Sequence, residues 1–137
     1  MIVDFIKRHE GISLKPYRYT LGFLTIGYGR NLDGAGISQD EAEYLLQADL
    51  ARATNAAREL VPDFGDIGLA RQAALVSMAF QLGRGGLSQF KAMLSAIEAK
   101  DWPRARLEAL HSRFAEQTPR RAEEVAEMLL TNRFAGE

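Results

Sequence analysis

The arrangement of hydrophobic and polar residues predicts helices over most of the chain. Segment 38–60 opens with a serine, carries Glu41 at the capping-box position and then places apolar residues on one narrow stripe, which predicts a long amphipathic helix. That stripe comprises Leu45, Leu46, Leu50 and Ala53. Segment 69–82 contains one charged residue, Arg71, and a helix that is apolar almost all round is a buried one. We therefore expect 38–60 to be a strut and 69–82 to form the centre of the core.

The N-terminal part of the chain predicts a short helix followed by a β-ribbon. Gly11 stands where a helix usually ends, which places Glu10 in the last turn of a helix over 2–10. There the helix dipole disfavours a carboxylate anion and favours a protonated acid. Segment 17–26 is rich in β-branched and aromatic residues and turns near a glycine, so it predicts a hairpin. Spacing alone favours the interpretation of Glu10 as a solvated surface residue and of Thr25 as an ordinary strand residue.

The C-terminal half predicts a series of shorter helices. The glycines in 83–86 predict a flexible break, and 87–99 and 102–110 then predict two amphipathic helices, the second capped by Asp101. A short helix is expected after residue 112, and a last helix with Thr118 as its N-cap. We expect Trp102, the sole tryptophan, to be a packing anchor rather than a platform for a sugar.

Composition excludes several classes of function. The 137 residues are 47% hydrophobic and 26% charged, an ordinary balance for one globular domain. The chain contains no cysteine, and His9 and His111 lack metal-ligand spacing, so we expect no metal and no cofactor. A net charge of −1 argues against nucleic acid as the main partner. No run is long and apolar enough for membrane insertion, and we expect a monomer.

Several separated motifs resemble one known family. They are H-E-G at 9–11, L-K-P-Y at 14–17, L-T-I-G-Y-G at 24–29, the apolar helix at 73–83, and S-R-F with Q-T-P-R-R-A between 112 and 122. In this order they resemble the phage-type lysozymes, glycoside hydrolase family 24. The resemblance implies a mainly α (α+β) fold in a single two-lobed domain: a small lobe at about 11–37, a connecting helix at about 38–60, and a helical lobe at about 61–137 that includes the N-terminal helix.

The resemblance also implies an activity and site residues. The family's activity is hydrolysis of the β-1,4 bond between N-acetylmuramic acid and N-acetylglucosamine in peptidoglycan. Carried over by position, Glu10 would protonate the leaving oxygen, while Thr25 would hold the attacking water, with inversion at the anomeric carbon. Arg121 would face and orient Glu10. Phe80 and Gln81 would contact the sugar, although Phe80 is equally interpreted as a core residue.

Three arginines could add local positive charge towards an anionic wall despite the net charge of −1. They are Arg18, Arg30 and Arg113, and we expect Arg30 and Arg113 also to bind the sugar substrate. The first ten residues carry several charges and lack the apolar core of a signal peptide, so we expect synthesis in the host cytoplasm. The resemblance then implies that a phage holin would let the protein reach the wall.

One position departs from the family. An Asp normally follows the glutamate by nine positions, whereas this chain has Tyr19 there. Glycosidases usually need two carboxylates, and a phenol is almost entirely un-ionised at neutral pH. Three possibilities follow: an enzyme in which Glu10 and Thr25 do most of the chemistry, a module that binds wall glycan without turnover, or a scaffold for another protein.

Overall fold

The computed structural model describes residues 1–136, and contacts between Cα atoms group the chain into two compact units. The first unit is Met1–Leu45, and the second begins at Leu46. Seven α-helices and one small antiparallel sheet occur within residues 1–136, which confirms the predicted mainly helical α+β class. None of the helices in this described part is both long and apolar enough to cross a bilayer.

The first unit consists of a helix, a three-stranded sheet and the start of a second helix. Its elements in chain order are α1 Ile2–Glu10, β1 Ser13–Arg18, β2 Leu24–Gly27 and β3 Arg30–Asn31. The sheet has the order β1-β2-β3, with Tyr17 opposite Thr25 and Thr25 opposite Asn31. The predicted hairpin is therefore confirmed, and a third short strand extends it. This unit includes α1, whereas the sequence analysis grouped that helix with the helical lobe.

The long helix α2, Gln39–Leu60, begins within a residue of the predicted position. The predicted capping box is present, because the Glu41 amide donates to Ser38 Oγ at 3.1 Å and the Ser38 amide donates to Glu41 Oε1 at 2.9 Å. Leu45 and Leu46 on the predicted apolar stripe are 50% and 41% exposed, however. The helix is buried only along its second half, at three alanines: Ala53, Ala56 and Ala57.

The second unit surrounds one apolar core. Its remaining helices are α3 Leu69–Ser88, α4 Lys91–Glu98, α5 Trp102–Leu110, α6 Arg113–Gln117 and α7 Pro119–Thr131. The predicted central helix is confirmed, since α3 contributes six buried apolar residues: Ala70, Ala74, Leu75, Met78, Ala79 and Leu87. The predicted break at 83–86 is confined to Gly83, whose φ of 75° and ψ of 171° interrupt α3 before it resumes. For that reason the next helix starts at Lys91 rather than at residue 87.

Arg71 links α3 to the end of α7. Its guanidinium donates to the carbonyl oxygens of Leu129 at 2.7 Å and Leu130 at 3.1 Å, which are last-turn carbonyls of the helix. The guanidinium carbon also lies 3.8 Å from the ring centre of Trp102. Trp102 packs against the core, which confirms the predicted anchor.

Candidate active site

Glu10 is the last residue of α1, as predicted. Gly11 ends the helix with a φ of 66°, and its amide donates to the Lys7 carbonyl at 2.9 Å. The Glu10 side chain is exposed. Its carboxylate lies against the backbone of Gly29, at the turn between β2 and β3. The ribbon that carries Thr25 therefore also contacts the candidate acid.

Thr25 is the one polar residue classed as buried among residues 1–136, with 5% exposure. Its hydroxyl donates to the carbonyl of Phe23, the residue just before the strand, at 3.0 Å. Because that bond uses the hydroxyl proton, the lone pairs on Oγ1 are left as acceptors. A group that donates a hydrogen bond to Thr25 Oγ1 uses one of its protons for that bond. Its own lone pairs then point away from Thr25.

Tyr19 lies where the ribbon turns. Its amide donates to the Phe23 carbonyl at 2.8 Å, and its carbonyl accepts from the Gly22 amide at 2.7 Å. The strand register pairs Tyr17 with Thr25 on one face of the sheet, while Tyr19 follows β1 and Phe23 precedes β2 at the turn. The three aromatic side chains are 37%, 54% and 46% exposed. The turn of the ribbon thus presents exposed rings near the buried threonine.

Arg30 forms a two-point ion pair with Glu41. Its two terminal nitrogens donate to the two carboxylate oxygens at 2.8 Å and 2.5 Å, and Nη1 also donates to the Gly36 carbonyl at 3.0 Å. The side-chain bond from Arg30, with the amide of Ser38, lowers the pKa of Glu41 to about 2. The charge of Arg30 is therefore balanced inside the unit, and its predicted contact with a sugar stays a prediction.

Asp33, the nearest carboxylate after Glu10 in the loop region, serves the ribbon. Its Oδ2 accepts from the Leu24 amide at 2.8 Å and lies 3.9 Å from Arg18 Nη1. Arg18 in turn donates to the Gly22 carbonyl at 3.0 Å. Both side chains brace the hairpin turn, a role that sequence analysis missed. The available signal was an Asx residue in a loop, which often bonds to backbone amides.

The remaining predicted residues lie in the second unit. Phe80 is 42% exposed and borders a concavity of about 560 Å³ with Arg52 and Arg84. Gln81 is half-buried, and its Nε2 donates to Thr118 Oγ1 at 3.1 Å, whereas its Oε1 has no partner among residues 1–136. The exposure of Phe80 argues against the interpretation as a core residue.

Thr118 precedes α7 as predicted, but the expected side-chain cap is absent from the described residues. Its hydroxyl instead donates to the Phe114 carbonyl at 3.1 Å and accepts from Gln81. The predicted N-cap position is therefore confirmed, although the hydroxyl bonds to partners on the preceding helix and on α3 instead of to the first turn of α7.

Arg121 and Arg113 differ in their surroundings. Arg121 donates to Ser77 Oγ at 2.9 Å and to the Ser77 carbonyl at 3.2 Å, which fixes it to α3. Its predicted contact with Glu10 stays a prediction. Arg113 is exposed and lines a concavity of about 490 Å³ together with Lys91 and His111. This concavity gathers basic side chains within the second unit.

Comparisons with known proteins agree with this architecture. The family model described as phage lysozyme matches residues 7–133. The chain is 30% identical over 157 residues to probable T4-type lysozyme 2 of Dictyostelium discoideum, covering 93% of the chain and 92% of that protein. It is 46% identical over 52 residues to an endolysin of Acyrthosiphon pisum secondary endosymbiont phage 1, 36% of each protein.

A second kind of relative is much longer. The chain is 32% identical over 158 residues to the pre-baseplate central spike protein Gp5 of Enterobacteria phage T4, and the match covers 95% of the chain but only 28% of the spike protein. A small antiparallel sheet, a long helix and a helical core define the lysozyme-like class. The chain belongs to the phage lysozyme family.

Proposed function

We propose that this protein is a muramidase that hydrolyses the β-1,4 bond between N-acetylmuramic acid and N-acetylglucosamine in peptidoglycan. The observation that carries the proposal is local to the first unit. In a chain of the lysozyme family, Glu10 ends α1 with its carboxylate against the same ribbon that holds Thr25. The ribbon thus carries the hydroxyl and contacts the acid. This pair is suited to a reaction that needs a proton donor and an oriented water.

In this proposal Glu10 protonates the oxygen of the leaving sugar. A water donates a hydrogen bond to Thr25 Oγ1, whose own proton is engaged by the Phe23 carbonyl. A lone pair on the oxygen of that water is then free to attack the anomeric carbon from the face opposite the leaving sugar, which inverts the configuration at that carbon. Tyr19 supplies no base, so proton removal from the water falls to solvent as the bond forms.

Contacts with the sugar are proposed for the second unit. Gln81 is half-buried and its buried Oε1 has no partner in the described chain, so we propose that this residue bonds to a sugar hydroxyl or amide. Phe80 presents an exposed ring, and Arg113 an exposed charge suited to an anionic wall. Arg121 is proposed to orient Glu10 when substrate is bound. The protein would reach the wall after a separate protein opens the membrane.

The test measures reducing ends released from purified peptidoglycan. We expect release by the wild type, and a loss of about 10²- to 10⁴-fold or more in Glu10→Gln, because the proton donor is gone. Glu43→Gln is the matched control, since Glu43 is an exposed glutamate on α2 of the same unit. Equal release by wild type and Glu10→Gln would contradict the proposal.

A second candidate function is wall binding without turnover. The observation that favours it is the exposure of three aromatic side chains at the turn of the ribbon, Tyr17, Tyr19 and Phe23, because aromatic rings are common in ligand sites. A binder would sediment with peptidoglycan while releasing no reducing ends. Tyr19→Asp separates the two: a silent wild type with an active Tyr19→Asp variant would identify a lysozyme that lacks its second carboxylate.

A further inference from the structure

Gly29 stands apart from the other glycines of the first unit. Five glycines of the first unit, including Gly29, have positive φ angles: Gly11, Gly22, Gly27, Gly29 and Gly36. A Cβ built on the other four would meet nothing within 4 Å. A Cβ on Gly29 would lie 2.6 Å from Glu10 Oε2, 3.1 Å from Cδ and 3.5 Å from Cγ. Backbone angle explains a glycine at every one of these positions, but only at Gly29 does a neighbouring side chain occupy the space of the missing Cβ.

We propose that Gly29 is a positioning residue for Glu10, and this inference rests on the proposed role of Glu10 as the acid. The α-hydrogen that replaces a side chain lets the carboxylate rest directly on the ribbon. The position of the acid is thereby tied to the strand segment that carries Thr25. Any larger residue at position 29 would move the carboxylate away from that position.

The surroundings of α1 explain why this contact matters. None of the nine residues of α1 is buried, so no packed core fixes the rotation of the helix. A second contact lies beside the first, where Lys7 Nζ is 5.2 Å from the ring centre of Tyr28. The last turn of α1 therefore meets the ribbon at two consecutive residues, Tyr28 and Gly29. Since the Lys7–Tyr28 contact joins two exposed side chains, the close approach at Gly29 sets where the acid lies.

The expected effect of a methyl group at position 29 is on rate rather than on binding. The nearest atoms are the end of a flexible, exposed glutamate, which can rotate away without moving the backbone. Displacing a catalytic group by about 1 Å costs about 10²-fold in rate. Contacts that hold the sugar are not touched, so KM should change little while kcat falls.

The experiment compares Gly29→Ala with Gly22→Ala. Gly22 has a φ of 91° and open space around it, so its alanine variant carries a similar backbone strain without the contact to Glu10. We expect about a 10- to 100-fold lower kcat for reducing-end release in Gly29→Ala, with KM within about twofold, and kcat near wild type in Gly22→Ala. In a Glu10→Gln background, Gly29→Ala should cause no further loss.

A second measurement is independent of activity. In the wild type, NMR should show a nuclear Overhauser effect between the γ-protons of Glu10 and the α-protons of Gly29. The Glu10 side-chain resonances should shift in Gly29→Ala and stay in place in Gly22→Ala. Absence of the Overhauser effect, or equal kcat in the two variants, would overturn the inference. An inert wild type that shows the effect and the shift would overturn the proposed activity while leaving the positioning contact established.

Discussion

The two compact units are stabilised by different kinds of interaction. In Met1–Leu45 the only residue classed as buried is Thr25, a polar one, and the unit is braced by the Arg30–Glu41 pair, the Asp33 carboxylate and the cap of α2. From Leu46 onward the stabilisation comes from burial, since every apolar residue classed as buried lies in this unit. The unit that carries the candidate acid is thus the one with the least apolar packing.

This difference has a consequence for function. Directional polar contacts fix geometry but contribute little net free energy when exposed, whereas apolar burial contributes more and is less directional. The first unit can therefore define the position of Glu10 and Thr25 while remaining sensitive to pH and to single polar substitutions. The second unit supplies most of the free energy of unfolding.

The largest effect is expected from the core of the second unit. Leu75 on α3 has 0% exposure, so Leu75→Ala should lower the free energy of unfolding by about 2–5 kcal/mol through lost transfer energy and a cavity. Urea denaturation measures this. Leu14→Ala is the control, because Leu14 on β1 is 83% exposed and should cost less than about 0.5 kcal/mol. If Leu75→Ala and Leu14→Ala lowered the free energy of unfolding equally, the two units would not differ in how far apolar burial stabilises them.

The next effect concerns the polar contacts of Arg71 at the edge of that core. Arg71→Met removes the bonds to the Leu129 and Leu130 carbonyls and the cation over Trp102, and should cost about 1–3 kcal/mol in urea denaturation. Arg52→Met is the matched control, since Arg52 is exposed and its partner is Asp49 on the same helix. Its cost should stay below about 1 kcal/mol. If Arg71→Met lowered the free energy of unfolding as little as Arg52→Met does, water would be replacing Arg71 at the Leu129 and Leu130 carbonyls.

Thr25 provides the comparable test within the first unit. Thr25→Val keeps the shape and removes the hydroxyl, so the bond to the Phe23 carbonyl is lost and stability should fall by about 0.5–1.5 kcal/mol. Thr25→Ser keeps the hydroxyl and serves as the control for shape. Under the proposed function, Thr25→Val also lowers release of reducing ends more than Thr25→Ser does. A fully active Thr25→Val would exclude a role for Oγ1 in holding water.

Sequence analysis predicted best what depends on neighbours in the chain. The end of α1 at Gly11, the capping box of Ser38 and Glu41, and the Asp101 cap, which accepts from the Arg104 amide at 3.2 Å, are all confirmed. These features are set by residues within one helical turn. The buried face of α3 was also predicted, because an almost uncharged helix has few other places to lie.

Contacts between distant residues could not be predicted in the same way. Periodicity indicates which face of an element is apolar, but it does not indicate which polar groups from distant parts of the chain will bond to each other. The bonds of Arg30 to Glu41 and of Arg71 to the Leu129 carbonyl were therefore missed. The approach of Glu10 to Gly29 was missed for the same reason. The motif named Glu10 and Thr25 as candidate site residues, and we propose Gly29 as a third from the geometry.

The smallest expected effect is a pH dependence confined to the first unit. The bond from Arg30 and the amide of Ser38 lower the pKa of Glu41 from 4.5 to about 2. A carboxyl group whose pKa is lowered by folding stabilises the folded state above its unfolded pKa and loses that effect as the pH falls through the folded value. Stabilisation by Glu41 should thus be complete above about pH 4.5 and disappear towards pH 2.

Amide exchange can detect this within the unit concerned. The Leu32 amide donates to the Leu24 carbonyl at 2.7 Å and reports on the ribbon, whereas Trp102 fluorescence reports on the helical core. The difference in Leu32 protection between wild type and Glu41→Gln should shrink as the pH falls from about 4.5 to about 2, and the shrinkage should be weaker in an Arg30→Met background. Trp102 fluorescence should not follow this difference. If it does, the two units unfold together, and the polar contacts of the first unit contribute to the stability of the whole chain.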